Sequence, residues 1–234
     1  MLARRLLQLY AGLVLYGVSD AMILGARLGA DPWDVFHQGL SRRTGLAVGT
    51  WVIIVGGAVL LLWLPLRQRP GFGTISNVVV IGLVINLALP LMPRDPGGLG
   101  GAVLLVAGVV LNGVATGAYI GAGLGPGPRD GLMTGLAARG HSIRVVRTGI
   151  ELTVLVSGFF LGGTVGIGTL VYALAIGPLA HFFIPRLSPS RTLPGPQVGG
   201  PEPGLDLRVD LRGPGEAHPV TEHGIGAGGR QEAR

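Results

Sequence analysis

Six long apolar runs, separated by short polar segments, account for most of the chain before residue 188. Each run approaches or reaches the roughly 20 residues that an α-helix needs to cross about 30 Å of hydrocarbon. Most of the runs lack the amphipathic period of a helix that buries only one face in a soluble protein. The pattern predicts an all-α, polytopic membrane protein with six transmembrane helices, over residues 6–24, 46–66, 74–92, 102–124, 145–165 and 169–184.

The same order of apolar and polar positions occurs twice along the chain. Between positions 12 and 40, thirteen residues are identical to the residue 96 positions later, and Gly71-Phe-Gly-Thr74 returns as Gly166-Ile-Gly-Thr169. Repetition at a fixed offset indicates duplicated structural units. We interpret residues 6–92 and 102–187 as two homologous halves. Because each half has an odd number of spans, we expect the second to enter the membrane in the opposite sense, as in transporters built from inverted repeats.

A short helix follows the first span in each half. In both copies a proline occupies the first helical position and an aspartate, Asp34 or Asp130, the third, where an acid complements the helix dipole. Asp31 suits the N-cap of the first copy. The helices predicted at 32–43 and 128–139 would be about 18 Å long, too short to cross a bilayer.

Two interpretations of these short helices stay open. In one they lie along the membrane surface, with apolar side chains towards the lipid headgroups. In the other they are re-entrant half-helices whose free N–H groups receive an anionic ligand near Arg129, after the glycine-rich segment 121–127. The side chains that the first interpretation places at the headgroups are Trp33, Phe36 and Leu40 in one copy and Leu132, Met133 and Leu136 in the other.

The first and fourth spans carry small residues at every fourth position, which places these residues on one face of each helix. Such faces let helix backbones approach closely in lipid. We interpret them as helix-packing surfaces, with contact between the two spans as one arrangement. The glycines concerned are Gly17, Gly25, Gly113, Gly117 and Gly121.

Asp20 lies deep in the first span. A carboxylate at that depth costs at least ~2.5–3.5 kcal/mol unless it is protonated, paired or facing water. Asp20 is therefore either part of a functional site or a structural hydrogen-bond partner of a neighbouring helix. Its repeat partner, Thr116, cannot ionise, so any proton-coupling role would belong to one half only.

Composition and charge refine this picture. The chain is 48% hydrophobic and 13% charged. It contains no cysteine, which excludes disulfides and thiolate metal sites. Residues 1–187 form the predicted transmembrane domain, whereas the tail, 188–234, is rich in glycine and proline and is predicted to be disordered and cytoplasmic. The N-terminal run resembles a signal peptide, but it belongs to the repeat, so we expect it to be retained.

The arginines indicate an orientation and exclude some functions. With six spans and the N-terminus inside, the cytoplasmic segments hold ten arginines and the outer segments four, which places both termini in the cytoplasm. Their excess suits membrane lipid rather than nucleic acid, because no basic run is interleaved with aromatic residues. Nucleotide-binding loops and hydrolase motifs are absent. We therefore expect neither enzyme activity nor a cofactor or metal site.

Two segments resemble a known family. Gly-x-Gly-Pro-Arg-Asp-Gly-Leu-Met at 125–133 and Gly-Ala-Asp-Pro-Trp-Asp-Val at 29–35 are similar to the YczE branch of the YczE/YyaS/YitT-like bacterial integral membrane proteins. The likeness covers residues 4–187. It implies a multi-span protein of the bacterial cytoplasmic membrane, and it implies no catalytic residue because the family has no established activity.

Two functional hypotheses follow. The first is a carrier or exporter of a small polar or anionic molecule, with a ligand site built from Asp20, Asp34, Gly125, Gly127, Arg129 and Asp130. The second is an accessory or scaffold protein that assists another complex, as a homo-oligomer or with a partner, through its glycine faces and tail. Inverted repeats and paired broken-helix motifs favour the first.

Overall fold

The computed structural model describes residues 2–188, so the tail predicted at 188–234 lies, apart from Ser188, outside the described residues. Those residues form eight α-helices and no strand. Each half has the same order of helices: one long, one short and two long. The helices are α1 Leu2–Ala26, α2 Pro32–Thr44, α3 Val48–Leu66 and α4 Phe72–Ala88 in the first half, and α5 Gly97–Gly121, α6 Pro128–Ala137, α7 Ile143–Phe160 and α8 Ile167–Leu187 in the second.

Five segments of residues 2–188 are long and apolar enough to cross a membrane: α1, α3, α5, α8 and Phe72–Leu91, which adds a 3-10 turn to α4. The helix α7 overlaps the span expected at 145–165 but ends at Phe160, carries three charged residues, Arg144, Arg147 and Glu151, and is not among the five. The all-helical fold of the described residues is thus confirmed, with five segments that have the length and composition of membrane spans. The count of six spans, and the inverted orientation that depends on it, stay predictions.

Glycines allow α1 and α5, the first helices of the two halves, to pack in direct contact. A methyl group added at Gly12 would lie 2.8 Å from the backbone nitrogen of Tyr119, and one added at Gly108 would lie 3.1 Å from the carbonyl oxygen of Ser19. The α1 and α5 backbones are therefore in close contact, where a side chain would separate them. Around this contact lies the main apolar core, which includes Leu9, Leu13, Ile23, Val109 and Ile85.

The glycines singled out by their four-residue spacing face other helices. Gly17 lies against Val84 of α4, and Gly113 lies against Leu179 of α8. The other three glycines pack in a similar way. Gly25 of α1 lies against Met92, which follows α4, and Gly117 and Gly121 of α5 lie against Phe183 and Leu187 of α8. Each first helix therefore uses one glycine face for the last helix of its own half and another for the opposite half.

The last helix of each half holds the loop that leads into the short helix of the other half. The Gly73 N–H of α4 donates to the Leu124 carbonyl over 2.8 Å, and the Thr74 hydroxyl donates to the Pro126 carbonyl over 2.7 Å. In the other direction, the Gly168 N–H of α8 donates to the Leu28 carbonyl over 2.7 Å. The repeated Gly-x-Gly-Thr segments are thus the N-terminal turns that fix the two loops.

The short helices lie close to their predicted positions, but inside the bundle. Asp31 caps α2 by accepting from the Trp33 and Asp34 N–H groups, and Gly45 ends it in the left-handed conformation. The interfacial interpretation is wrong for Trp33, which is only 6% exposed and packs against Trp63 and other apolar side chains. Leu132 and Met133 of α6 are likewise buried, because both short helices are covered by neighbouring helices.

We expect Gly12→Ala to destabilise the protein, because the added methyl would meet backbone atoms of α5 that cannot move independently of that helix. Overpacking of this kind costs about 1–3 kcal/mol. Gly57→Ala is the matched control, since Gly57 lies within α3 and an added methyl would meet no heavy atom within 4 Å. Thermal unfolding in detergent should show a lower melting temperature for Gly12→Ala alone. Equal melting temperatures would contradict the close α1–α5 contact.

Candidate functional site

The N-terminal ends of α2 and α6 meet in the middle of the bundle, where Arg129 contacts the first motif. Its Nη1 lies 3.6 Å from Asp31 Oδ1, and its Nη2 lies 4.0 Å from Asp34 Oδ1. The guanidinium carbon also lies 5.1 Å from the centre of the Trp33 ring, in cation–π geometry. Arg129 therefore joins the second copy of the motif to the first.

Three carboxylates share this region. Asp20, Asp31 and Asp34 each offer an oxygen, and these oxygens all lie within 4.8 Å of one another. The three residues are 1%, 3% and 1% exposed, so water screens them little. We call them the acidic cluster. Asp20 comes from the middle of α1, whereas the other two come from the start of α2.

Hydrogen bonds orient each member of the acidic cluster through one oxygen. Asp31 Oδ1 accepts from the backbone nitrogens of Trp33 and Asp34, at 2.7 and 3.0 Å. Asp34 Oδ1 lies 3.3 Å from Nδ1 of His37, one turn later on α2. An ionised Asp34 can only accept, and in that state this ring nitrogen would carry the hydrogen.

Asn112 of α5 holds the third carboxylate. Its amide nitrogen donates to Asp20 Oδ1 over 2.8 Å and to the Ser19 hydroxyl over 3.0 Å. Its oxygen accepts from the Tyr172 hydroxyl of α8 over 3.1 Å. Asn112 is 0% exposed, and its described partners come from two further helices. Asp20 of the first half is therefore held in place by residues of the second half.

Burial shifts the pKa of Asp31 and of His37, two residues of the site that lie outside the five apolar spans. Burial raises the pKa of Asp31 to about 6, helped by the charge of Asp34 and opposed by that of Arg129. Burial lowers the pKa of His37 to about 3, and the positive charge of Arg129 acts in the same direction. His37 is therefore a neutral imidazole near neutral pH.

A cavity of about 600 Å³ opens beside the acidic cluster. Asp31, Trp33 and His37 line it from the first motif, and Arg129 and Asp130 line it from the second. Its volume falls in the range of small-molecule binding sites in proteins. Further polar or aromatic lining residues come from α1, α5, α7 and α8 and include Tyr16, Tyr119, Arg147, Glu151 and Tyr172.

The predicted ligand residues take different places around the cavity. Asp20, Asp34 and Arg129 come together, as described above. Asp130 lines the cavity and accepts from the Tyr119 hydroxyl over 3.3 Å, and Gly127 lines it as the N-cap of α6. Gly125 lies outside it: its φ of +129° requires glycine, and an added methyl would lie 2.6 Å from the Thr74 hydroxyl oxygen.

Sequence reasoning misses several members of the site. The sequence predicts only a capping role for Asp31, although the structure shows that the same carboxylate also faces Arg129. It places Trp33 at the headgroups, and it does not single out His37 or Tyr172. The repeat carries no signal for Asp31 or His37, because their counterparts 96 residues later are Gly127 and Met133.

Comparisons with known proteins agree with the resemblance seen in the two motifs. The model of a family of unknown function, DUF6198, matches residues 3–185. An uncharacterised protein of Haemophilus influenzae is 38% identical over 173 residues, which cover 74% of this chain and 79% of that protein. The uncharacterised membrane protein YczE of Bacillus subtilis is 38% identical over 181 residues, covering 76% and 84%. YyaS of the same species is 28% identical, covering 74% and 89%. No solved structure matches.

We expect Arg129→Gln to destabilise the protein, because it leaves the acidic cluster without its cation. The Arg129 side chain is 25% exposed. The free energy of unfolding should therefore fall by about 1–3 kcal/mol, which is less than the cost of leaving a fully buried charge unpaired. Adding Asp34→Asn should recover part of that loss, since it removes one of the repelling carboxylates. A double-mutant cycle from chemical or thermal unfolding in detergent measures the coupling.

Arg94→Gln is the control for this cycle, because Arg94 is an exposed arginine in the connection before α5. Arg94→Gln should have the melting temperature of the wild type. Added to Asp34→Asn, it should likewise leave the melting temperature of that single variant unchanged. Independent, additive effects of Arg129→Gln and Asp34→Asn would show that Arg129 does not act on the acidic cluster.

Proposed function

Because the chain belongs to the DUF6198 family of unknown function, which offers no activity to transfer, we propose from its site that it is a carrier or exporter of a small polar molecule. The cavity beside Arg129 carries this proposal. It lies among apolar helices, yet it is lined by several ionisable side chains. Ionisable groups inside a membrane protein are costly and usually mark a path or binding site for a solute or ion.

The position of the cavity favours transport over a purely structural role. The N-terminal ends of α2 and α6 border it, so each half contributes a helix that begins inside the bundle. Transporters with internal repeats place substrates between the repeats, next to helices interrupted within the membrane. Small movements of one half against the other would then change access to the cavity.

The charges around the cavity favour a solute that carries an amino group. Three carboxylates, those of Asp31, Asp130 and Glu151, line it against the two guanidinium groups of Arg129 and Arg147. Arg147 is bonded to Glu151 over 2.9 Å, and Arg129 faces Asp31 and Asp34. Asp130 forms no ion pair among the described residues, although the charges of Arg147 and Arg129 act on it, and the Tyr119 hydroxyl donates to it. It can therefore still receive a cationic group. This charge balance argues against a simple anion.

Aromatic side chains add to the same preference. Trp33, Tyr16, Tyr119 and Tyr172 line the cavity, and the faces of such rings attract ammonium groups. Tyr16 and Tyr119 pack edge to face, with ring centres 5.9 Å apart, which fixes their orientation. A small amine or amino acid would therefore meet both a carboxylate and aromatic faces.

Transport can be tested with the purified full chain in proteoliposomes, using radiolabelled putrescine, lysine, alanine and phosphate as probes. We expect saturable flux of at least one amine-bearing probe. Asp130→Asn, which keeps the side-chain volume, should lower that flux about tenfold or more, because a charge-assisted contact is lost. Flux assays at equal reconstituted protein would measure the difference.

Asp95→Asn is the matched control, since Asp95 is an exposed aspartate between α4 and α5. It should transport at the wild-type rate. Flux of phosphate alone would overturn the proposed charge preference. Absence of flux for all probes, together with a stable co-purifying protein, would favour the accessory or scaffold role instead.

A further inference from the structure

We propose that Asp20, Asp31 and Asp34 form a binding site for one divalent metal cation, next to the solute cavity. Asp31 borders the cavity, whereas Asp20 and Asp34 are not part of its lining and lie behind it. The cation would occupy the space between the three carboxylates. This site would exist whether or not the protein carries a solute.

The spacing of the acidic cluster suits a hard cation with oxygen ligands. Carboxylate oxygens are preferred ligands of Ca²⁺ and Mg²⁺. Two oxygens on opposite sides of Ca²⁺ are about 4.6–5.2 Å apart, which is twice the usual Ca–O distance. The observed limit of 4.8 Å between the ligand atoms falls within that range. Mg²⁺ needs shorter distances, so the cluster would have to contract around it.

Arg129 is the one cation that the described residues place against the acidic cluster. If all three carboxylates are ionised, as metal ligands are, they exceed the single guanidinium of Arg129 by two negative charges. The separations of 3.6 and 4.0 Å from Arg129 to its two partners exceed normal hydrogen-bond lengths. One divalent cation would balance the excess.

Unpaired buried oxygens are the second observation. Among residues 2–188, neither Asp20 Oδ2 nor Asp34 Oδ2 has a hydrogen-bond partner, and both atoms are almost completely inaccessible to water. The other oxygen of each carboxylate is held, by Asn112 and His37 respectively. Leaving a buried charged acceptor unpaired is costly. A dehydrated metal ion, which is smaller than a water molecule, can reach such atoms and pair with them.

The cavity adjoins the acidic cluster through two shared residues. Asp31 is shared, since it lines the cavity and belongs to the acidic cluster. Arg129 also lines the cavity and faces two members of the cluster. Binding of the cation would attract the cluster carboxylates away from Arg129, and a solute in the cavity would then meet a changed charge. Such sharing of ligands is the physical basis for coupling between two sites.

Metal binding can be measured on the purified full chain in detergent, without any knowledge of a solute. Electron paramagnetic resonance with Mn²⁺ should show about one bound ion per chain, and Ca²⁺ should compete for it and raise the melting temperature. Asp20→Asn and Asp34→Asn should each weaken Mn²⁺ binding about tenfold or more. Without metal, neither substitution should lower the melting temperature, because each removes a repelling charge and keeps the side-chain volume.

Asp95→Asn should bind Mn²⁺ as the wild type does, because Asp95 is exposed and far from the cluster in the sequence. The proposal is overturned if the wild type binds no Mn²⁺, or if Asp20→Asn binds it with wild-type affinity. It is also overturned if Na⁺, or a lower pH without metal, reproduces the whole stabilisation given by Ca²⁺. A negative result here leaves the flux experiment unaffected, so the two proposals fail separately.

Discussion

The contact of Arg129 with Asp31 and Asp34 is the constraint on which the centre of the molecule depends. Two helices begin at this point, and each presents free N–H groups and the positive end of its dipole. Adding a guanidinium would make the region strongly positive. Acidic residues at the start of both short helices offset that charge, and the apolar bundle around them limits the access of water. The site is therefore an electrostatic balance between two helix ends, with the acids in slight excess.

Hydrogen bonds between the two halves form a frame that holds both short helices in the positions that maintain this balance. The α4 turn at Gly73 and Thr74 bonds the loop before α6, and the α8 turn at Gly168 bonds the loop before α2. Neither short helix is positioned by its own half alone. A shift of α4 or α8 would consequently move the opposite motif, and with it one side of the cavity. This connection gives a packed helical protein a physical route by which the two halves can respond to one another.

Much of this frame can be predicted from the sequence, and less of the site. Apolar runs locate the long helices, and the Pro-x-Asp motifs locate α2 and α6 to within a few residues, because capping and helix-start chemistry are local. Asp20, Asp34 and Arg129 also stand out, since charge within an apolar segment is conspicuous. The contacts between them cannot be predicted, because they depend on how α2 and α6 pack across the bundle. For the same reason the sequence pattern places Trp33 at the headgroups, although the structure buries it against Trp63.

The differences between the two copies explain why the chemistry is concentrated in one place. A strictly repeated chain would place the same charge on both sides of the central contact, and like charges would repel. Here position 33 is a tryptophan and its counterpart is Arg129, while Asp31 and His37 have Gly127 and Met133 as counterparts. Asp20 likewise corresponds to Thr116. The shared positions, chiefly glycine and leucine, build the frame, whereas the acids of the cluster lie mostly where the copies differ. The two halves thus have the same order of helices but different charges at the central contact, so Arg129 and the acidic cluster form one asymmetric group.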